Sequence, residues 1–139
     1  MYTTIAAIMM IFLSCLSSSA QSLDQFLWKN RLIFIMNPDV DQHGDHPQLK
    51  TFEGSGPAMK DRDVRIFIVR ENEVLDHNGQ AVKWIGNTVP DTFYKGIVLI
   101  GKDGGIKLKR PFVVSAEEIF DLIDSMPMRR AEMKNSIKD

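Results

Sequence analysis

The stretch Asp39-Val40-Asp41-Gln42-His43-Gly44-Asp45-His46 gathers the side chains of this sequence with the most chemistry in them. Carboxylate oxygens interleaved with imidazole nitrogens suit zinc, manganese or a similar divalent ion. A calcium loop is excluded. Its Asp-x-Asp-x-x-Gly opening is present, but position five is His43 and position twelve is Lys50 where a glutamate is required. The expectation is a solvated acidic loop in which Asp45 or its neighbour caps a helix begun by Pro47. The alternative is a metal site built from Asp39, Asp41, His43, Asp45 and His46, and with it a metal-dependent enzyme or metal carrier.

A second set, Lys102, Lys107, Lys109 and Arg110, could hold a polyanion through point-charge contacts that weaken with salt. A solvated strand face accounts for the same residues. The nearby Gly104-Gly105 pair could cradle a phosphate only if a helix followed it directly, and the alternating Ile106-Lys107-Leu108-Lys109 reads as a strand. Met126, Met128 and Met133 are soft potential ligands for copper(I), but methionines ending an amphipathic helix fill core gaps. Arg129 and Arg130 could clamp an anion, or could complement the carbonyls of a final helical turn. Nothing places any of the three histidines beside a hydroxyl or a second base, so no nucleophilic triad is assigned.

Composition narrows the partners and the compartment. Seventeen Lys and Arg against eighteen Asp and Glu leave a net charge of −1, with no overall pull toward nucleic acid or an anionic membrane. Residues 1–20 contain no charged side chain, run apolar from Ile5 to Leu16 and end in Ser18-Ser19-Ala20, as a secretory signal cleaved before Gln21 does. The apolar run falls short of the roughly 20 residues that span a bilayer, so no stable membrane insertion is expected after cleavage. Cys15 follows Phe12-Leu13-Ser14, a poor lipoprotein pattern. It is the only cysteine, so the chain beyond the signal has no thiol for disulfides, zinc thiolates or redox exchange. Residues 21–139 suit one domain.

Those residues must be positioned by a recognisable series of elements. Ser22 and Gln25 have capping-box spacing before a short helix containing Leu23, Phe26 and Leu27. Leu32 to Met36 and Val64 to Val69 are unbroken apolar runs, as in strands covered on both faces. Between them, Pro47 to Lys60 reads as a helical crossover interrupted at Gly54-Ser55-Gly56-Pro57, and such a βαβ unit is parallel and right-handed. Asn78-Gly79 signals a tight excursion hairpin, with Trp84 and Ile85 returning to the core. Thr88 to Lys95 is read as one helical turn begun by Pro90. Ile97 to Ile100 and Ile106 to Leu108 form a hairpin around Asp103-Gly104, with glycines 104 and 105 supplying positive φ. Ser115 and Glu118 form a capping box, Val114 and Ile119 a hydrophobic staple, and Ile119, Leu122, Ile123 and Met126 one helical face. Pro127 interrupts that helix, Met128 to Lys134 resumes as a short turn, and residues 135–139 fray. The expectation is an α/β fold of thioredoxin-like type, with a mixed four- or five-stranded sheet flanked by helices.

The segments LWKNRLIFIMNP (27–38), KDRDVRIFIV (60–69), IGKDGGIKL (100–108) and LIDSMPMRRAEM (122–133) resemble a domain of unknown function. It occurs in secreted bacterial proteins and in vertebrate sushi-repeat and coiled-coil extracellular matrix proteins, where it is called the DUDES domain. The resemblance implies a thioredoxin-like fold and a secreted or periplasmic location, and no established activity. Where thioredoxin carries its Cys-x-x-Cys pair this chain has the Asp/His loop, and no proline directly precedes Ile97, so thiol-disulfide exchange is not supported. The functional expectation is a non-catalytic binding or adaptor module that engages a protein or a cell-envelope component, without nucleic acid and without a cofactor.

Overall fold

The computed structural model describes residues 20–39, 45–71, 73–85 and 89–138. Its centre is a six-stranded mixed sheet, built on β1 (Arg31–Met36), β2 (Val64–Arg70), β3 (Glu73–Asp76), β4 (Ala81–Val82), β5 (Gly96–Ile100) and β6 (Ile106–Arg110). The order across the sheet is β4-β3-β2-β1-β5-β6, with β1 and β2 parallel and the remaining neighbours antiparallel. A parallel βαβ unit is thus followed by an antiparallel ββα unit, consistent with the thioredoxin-like α/β expectation.

Every residue of β1 is buried, because both sheet faces are covered. On one face Ile33, Ile35, Ile66, Ile68, Ile97 and Leu99 pack under α3 (Ala116–Ser125), which contributes Ile119 and Ile123. On the other, Leu32, Phe34, Met36, Phe67 and Val98 meet Phe26 and the half-buried Trp84. Trp84 packs edge-on to Phe34 and Phe67 and stacks on Phe26. This alternation along β1 is the period-2 consequence of a pleated strand.

Several local expectations hold. Ser115 Oγ accepts the Glu118 amide at 3.1 Å, although the Glu118 carboxylate pairs with Arg110 instead of closing the box. The β5–β6 turn has Gly104 at φ 82°, where a Cβ would lie 2.9 Å from the Leu27 side chain, so glycine serves there for both conformation and space. Of the two turn glycines, Gly104 is the one with positive φ.

Others are corrected. The sheet has six strands because the excursion does not stand apart: Glu71, at φ 51°, turns the chain back and β3 and β4 extend the sheet beside β2. Ile85 is 54% exposed and stays outside the core. Leu23–Gln25 is a 3-10 turn with no Ser22 side-chain cap, the Gln25 side-chain Nε2 donating back to the Ala20 carbonyl. The crossover divides into α1 (Pro47–Lys50) and α2 (Gly56–Asp61), with Gly54 at φ 73° between them. Residues 89–95 form a turn at Thr92-Phe93 rather than a helix. Pro127 opens a full ten-residue helix, α4 (Pro127–Ser136), because its fixed φ and missing N–H suit the first helical position. Among the described residues no helix is long and apolar enough to cross a membrane.

The residue that α4 buries is Arg129. Charge therefore docks this helix. Arg31, 1% exposed, donates from Nη1 and Nη2 to both Glu132 oxygens at 3.2 and 3.3 Å and from Nη1 to the Arg62 carbonyl at 2.9 Å. Lys102 donates to Glu132 at 2.6 Å and to Asp63 at 2.8 Å. Arg129 reaches Asp124 at 3.1 Å and also pairs with Asp61, while Arg62 grips Asp124 at 3.0 and 2.6 Å. Four cations and four carboxylates join α2, α3, α4, the amino end of β1 and the β5–β6 turn.

Burial pushes the Glu132 carboxyl up, but the hydrogen bonds and charges of Lys102 and Arg31 outweigh it and hold the group below its ordinary value. Burial likewise raises Asp124, and Arg62 and Arg129 outweigh it. A carboxyl depressed in the folded state protonates first in the unfolded chain. Its stabilisation is therefore complete above the unfolded value of about 4.3 for Glu and is lost as pH falls through the lower folded value. Glu132→Gln is expected to cost about 3 kcal/mol at pH 7, because it leaves the buried Arg31 guanidinium without a carboxylate and Lys102 with Asp63 alone. It should also flatten the loss of stability below about pH 4.5. Urea unfolding of both proteins between neutral and acid pH reads each effect, and an unchanged acid slope would refute the role of Glu132.

Candidate functional site

Open α/β sheets place ligands beyond the carboxyl ends of their strands, and here the ends of β1 and β2 are joined by one side chain. Asn37 directly follows β1 and sits at φ 48°, in the left-handed region that asparagine tolerates better than most residues. Its Nδ2 donates to the carbonyls of Thr92 and Tyr94 at 2.6 and 2.8 Å, and its Oδ1 accepts the Glu71 amide at 2.9 Å. Glu71, at φ 51°, follows β2. Two strained backbones thus lie side by side at the ends of two parallel strands, a placement common around binding sites.

This clamp fixes the loop of residues 91–95, which is further tied by the Phe93 amide donating to Asp91 Oδ1 at 3.2 Å. Phe93 itself is 96% exposed. It borders a cavity of about 520 Å³ lined also by Asn37, Asp39, Glu71, Thr92 and Lys95. Asp39 pairs with Lys95 across that cavity.

The Asp/His loop is only partly within the described residues, since Asp41 and His43 lie outside them. Asp45 lies 3.6 Å from Lys50 in an exposed ion pair. His46 is buried, and its Nδ1 accepts the Gln48 amide at 3.0 Å, which makes it the cap of α1. Its ring packs edge-on to Phe112, with centroids 4.5 Å apart. Burial lowers its pKa, with the Asp39 carboxylate opposing and Lys95 reinforcing that effect. A neutral imidazole is what the cap requires, because Nδ1 must accept. Asp39 and Asp45 each have a lysine partner, and His46 has one ring nitrogen committed. Among the described residues no three His, Cys, Asp or Glu side chains group to hold a metal ion.

Each member of the basic set has a partner in the fold. Lys102 is 9% exposed and belongs to the charge network. Lys107 pairs with Asp103 at 2.8 Å, Lys109 sits 4.4 Å from the centre of the Tyr94 ring, and Arg110 pairs with Glu118. Lys107 and Lys109 still stand on an edge strand, where lysine discourages pairing with another chain.

Sequence reasoning passed over Asn37 and Phe93. Asn37 had a signal, an Asn-Pro following an apolar strand, but its role depends on Glu71 and Thr92, which are distant in the chain. Phe93 had none, since an isolated phenylalanine reads as core.

Residues 22–132 match the model of a family described as Domain of unknown function (DUF4174). Coiled-coil domain-containing protein 80 of Danio rerio is 29% identical over 133 residues, a match covering 80% of this chain and 15% of that protein. The chain therefore corresponds to a small part of that relative. With the matched segment spanning every strand of the sheet, this chain belongs to the DUF4174 domain family.

Proposed function

We propose that this chain is a non-catalytic binding module of thioredoxin-like type, with no thiol beyond Cys15. It is exported by its N-terminal segment and engages a protein partner non-covalently at the carboxyl ends of β1 and β2. The observation that carries this reading is Phe93: a large aromatic ring held almost wholly in solvent by a loop that Asn37 pins from below. Aromatic side chains dominate the energetics of binding surfaces. A loop already ordered in the free protein loses little entropy when it is covered. The strand end where thioredoxins carry cysteines has a carboxylate, Asp39, paired with Lys95, so recognition there rests on shape, charge and hydrogen bonding. The cavity beside the ring provides a recess for a partner side chain.

A photo-crosslinking amino acid at position 93 should trap one dominant partner from the extracellular or periplasmic fraction, whereas the same group at the exposed Ile137 should not. Without any crosslinker, affinity capture of that partner by Phe93→Ala should fail where the unaltered protein retains it, while stability changes by less than about 0.5 kcal/mol, as an exposed truncation does. Equal capture by Phe93→Ala, or an identical pattern from position 137, would overturn the reading. Intact-mass analysis of protein recovered from that fraction should show Gln21 as the first residue. A mass retaining residues 1–20 would refute export by cleavage.

A further inference from the structure

We propose that the amino-terminal half of β2 is a docking edge for an extended peptide that carries an acidic residue between two apolar ones. The site lies at the opposite end of β2 from the Phe93 loop and does not depend on the partner proposed there.

β2 runs for seven residues, but β3 pairs only with its last four, Phe67 to Arg70. Beyond Asp76 the chain leaves β2, the Asp76 amide donating to the Gln80 carbonyl at 2.9 Å. Val64, Arg65 and Ile66 therefore have β1 on one side and no strand on the other. The ladder to β1 decides which of their main-chain groups are left over. The Arg31 amide donates to the Asp63 carbonyl at 2.9 Å, and the Asn37 amide to the Val69 carbonyl at 2.6 Å. Odd-numbered residues of β2 thus turn their main chain toward β1, and even-numbered residues turn theirs outward. Ile68 and Arg70 meet Leu75 and Glu73 on that outer side. Val64 and Ile66 meet no main-chain partner there among the described residues.

These groups open into a groove of about 480 Å³ between β2 and α2, bounded by Met59, Lys60, Asp63 and His77. A strand added antiparallel to β2, in line with β3, would satisfy the outward amides and carbonyls of Val64 and Ile66, the mode by which exposed sheet edges take up peptides. Its side chains would alternate between the two faces of the sheet. Those opposite Val64 and Ile66 would lie on the apolar face that these residues share with Met59. The one opposite Arg65 would lie on the other face, beside the guanidinium. Arg65 is exposed, with its guanidinium 5.9 Å from the centre of the Phe26 ring and no carboxylate partner among the described residues. Lys60 is exposed and equally unpaired among them. Asp63, the acidic member of the groove, already accepts from Lys102 at 2.8 Å. Opposite charges facing each other across a strand pair attract and like charges repel. The edge therefore selects an acidic residue opposite Arg65 with an apolar residue on either side.

Amide exchange and NMR titration of the isotopically labelled protein with blocked pentapeptides test this. In the free protein the amides of Val64 and Ile66 are expected to exchange at least about tenfold faster than those of Arg65 and Phe67 in the same strand. Acetylated and amidated Thr-Val-Glu-Val-Thr should slow that exchange and shift these amides saturably. Thr-Val-Lys-Val-Thr, and the acidic peptide with both valine amides N-methylated, should each bind at least about tenfold more weakly. Arg65→Glu alters an exposed side chain and should reverse the preference in favour of the lysine peptide. Slow exchange of Val64 and Ile66 in the free protein, equal binding of the acidic and basic peptides, or an unreversed preference in Arg65→Glu would overturn the proposal. Protection that grows with protein concentration in the absence of peptide would assign the edge to a second copy of the chain and overturn it too. Peptide-induced shifts confined to residues 91–95 would remove this site and leave the Phe93 reading intact, so the two are judged separately.

Discussion

The complete burial of β1 is the constraint from which the rest of this structure follows. A strand with six consecutive buried residues needs a neighbour on each side and a covering layer on each face. β2 and β5 supply the neighbours. α3 covers one face, and Phe26 and Trp84, from segments distant in sequence, cover the other. At about 25 cal/mol per Å² of apolar surface removed from water, this central layer supplies the main favourable contribution to folding. Its polar ends then become the positions at which the chain has to solve local problems.

The two ends of β1 are solved differently. At the amino end the first buried residue is an arginine, and its guanidinium can stay in the interior only with carboxylate and carbonyl partners. Glu132 and the Arg62 carbonyl provide them, and Lys102, Asp63, Arg129, Asp61, Asp124 and the Arg62 guanidinium complete a network of four cations and four carboxylates. Buried ion pairs add little net stability over apolar packing, but leaving one member unpaired is expensive. The network consequently specifies where α4 sits more than how tightly the fold holds. At the carboxyl end the strain is in the backbone: Asn37 and Glu71 adopt left-handed conformations, and one amide side chain ties both to the loop that displays Phe93.

Charges that look available in the sequence are largely committed in the fold. Each of the four basic residues near the β5–β6 turn has an acidic or aromatic partner. His46 is a buried helix cap, and its packing on Phe112 explains a histidine that sequence spacing alone associates with metals. A side chain's type states what chemistry it could do. Its hydrogen-bond partners decide what remains free for a ligand.

The buried strands, the Asp103-Gly104 hairpin, the α3 cap at Ser115 and the α/β class were legible in the sequence, because each rests on local rules: hydrophobic period, turn chemistry and capping. The absence of a thiol beyond Cys15 was equally plain. Three things were settled only in three dimensions. β3 and β4 join the sheet because β2 offers an unpaired edge. α4 persists for ten residues because Arg129 and Glu132 find partners on α2, α3, β1 and the β5–β6 turn. Asn37 becomes a clamp because Glu71 and Thr92 arrive beside it from 34 and 55 residues away. Local patterns encode elements through neighbouring residues, whereas pairings across such distances exist only once the hydrophobic layers have brought the chain together.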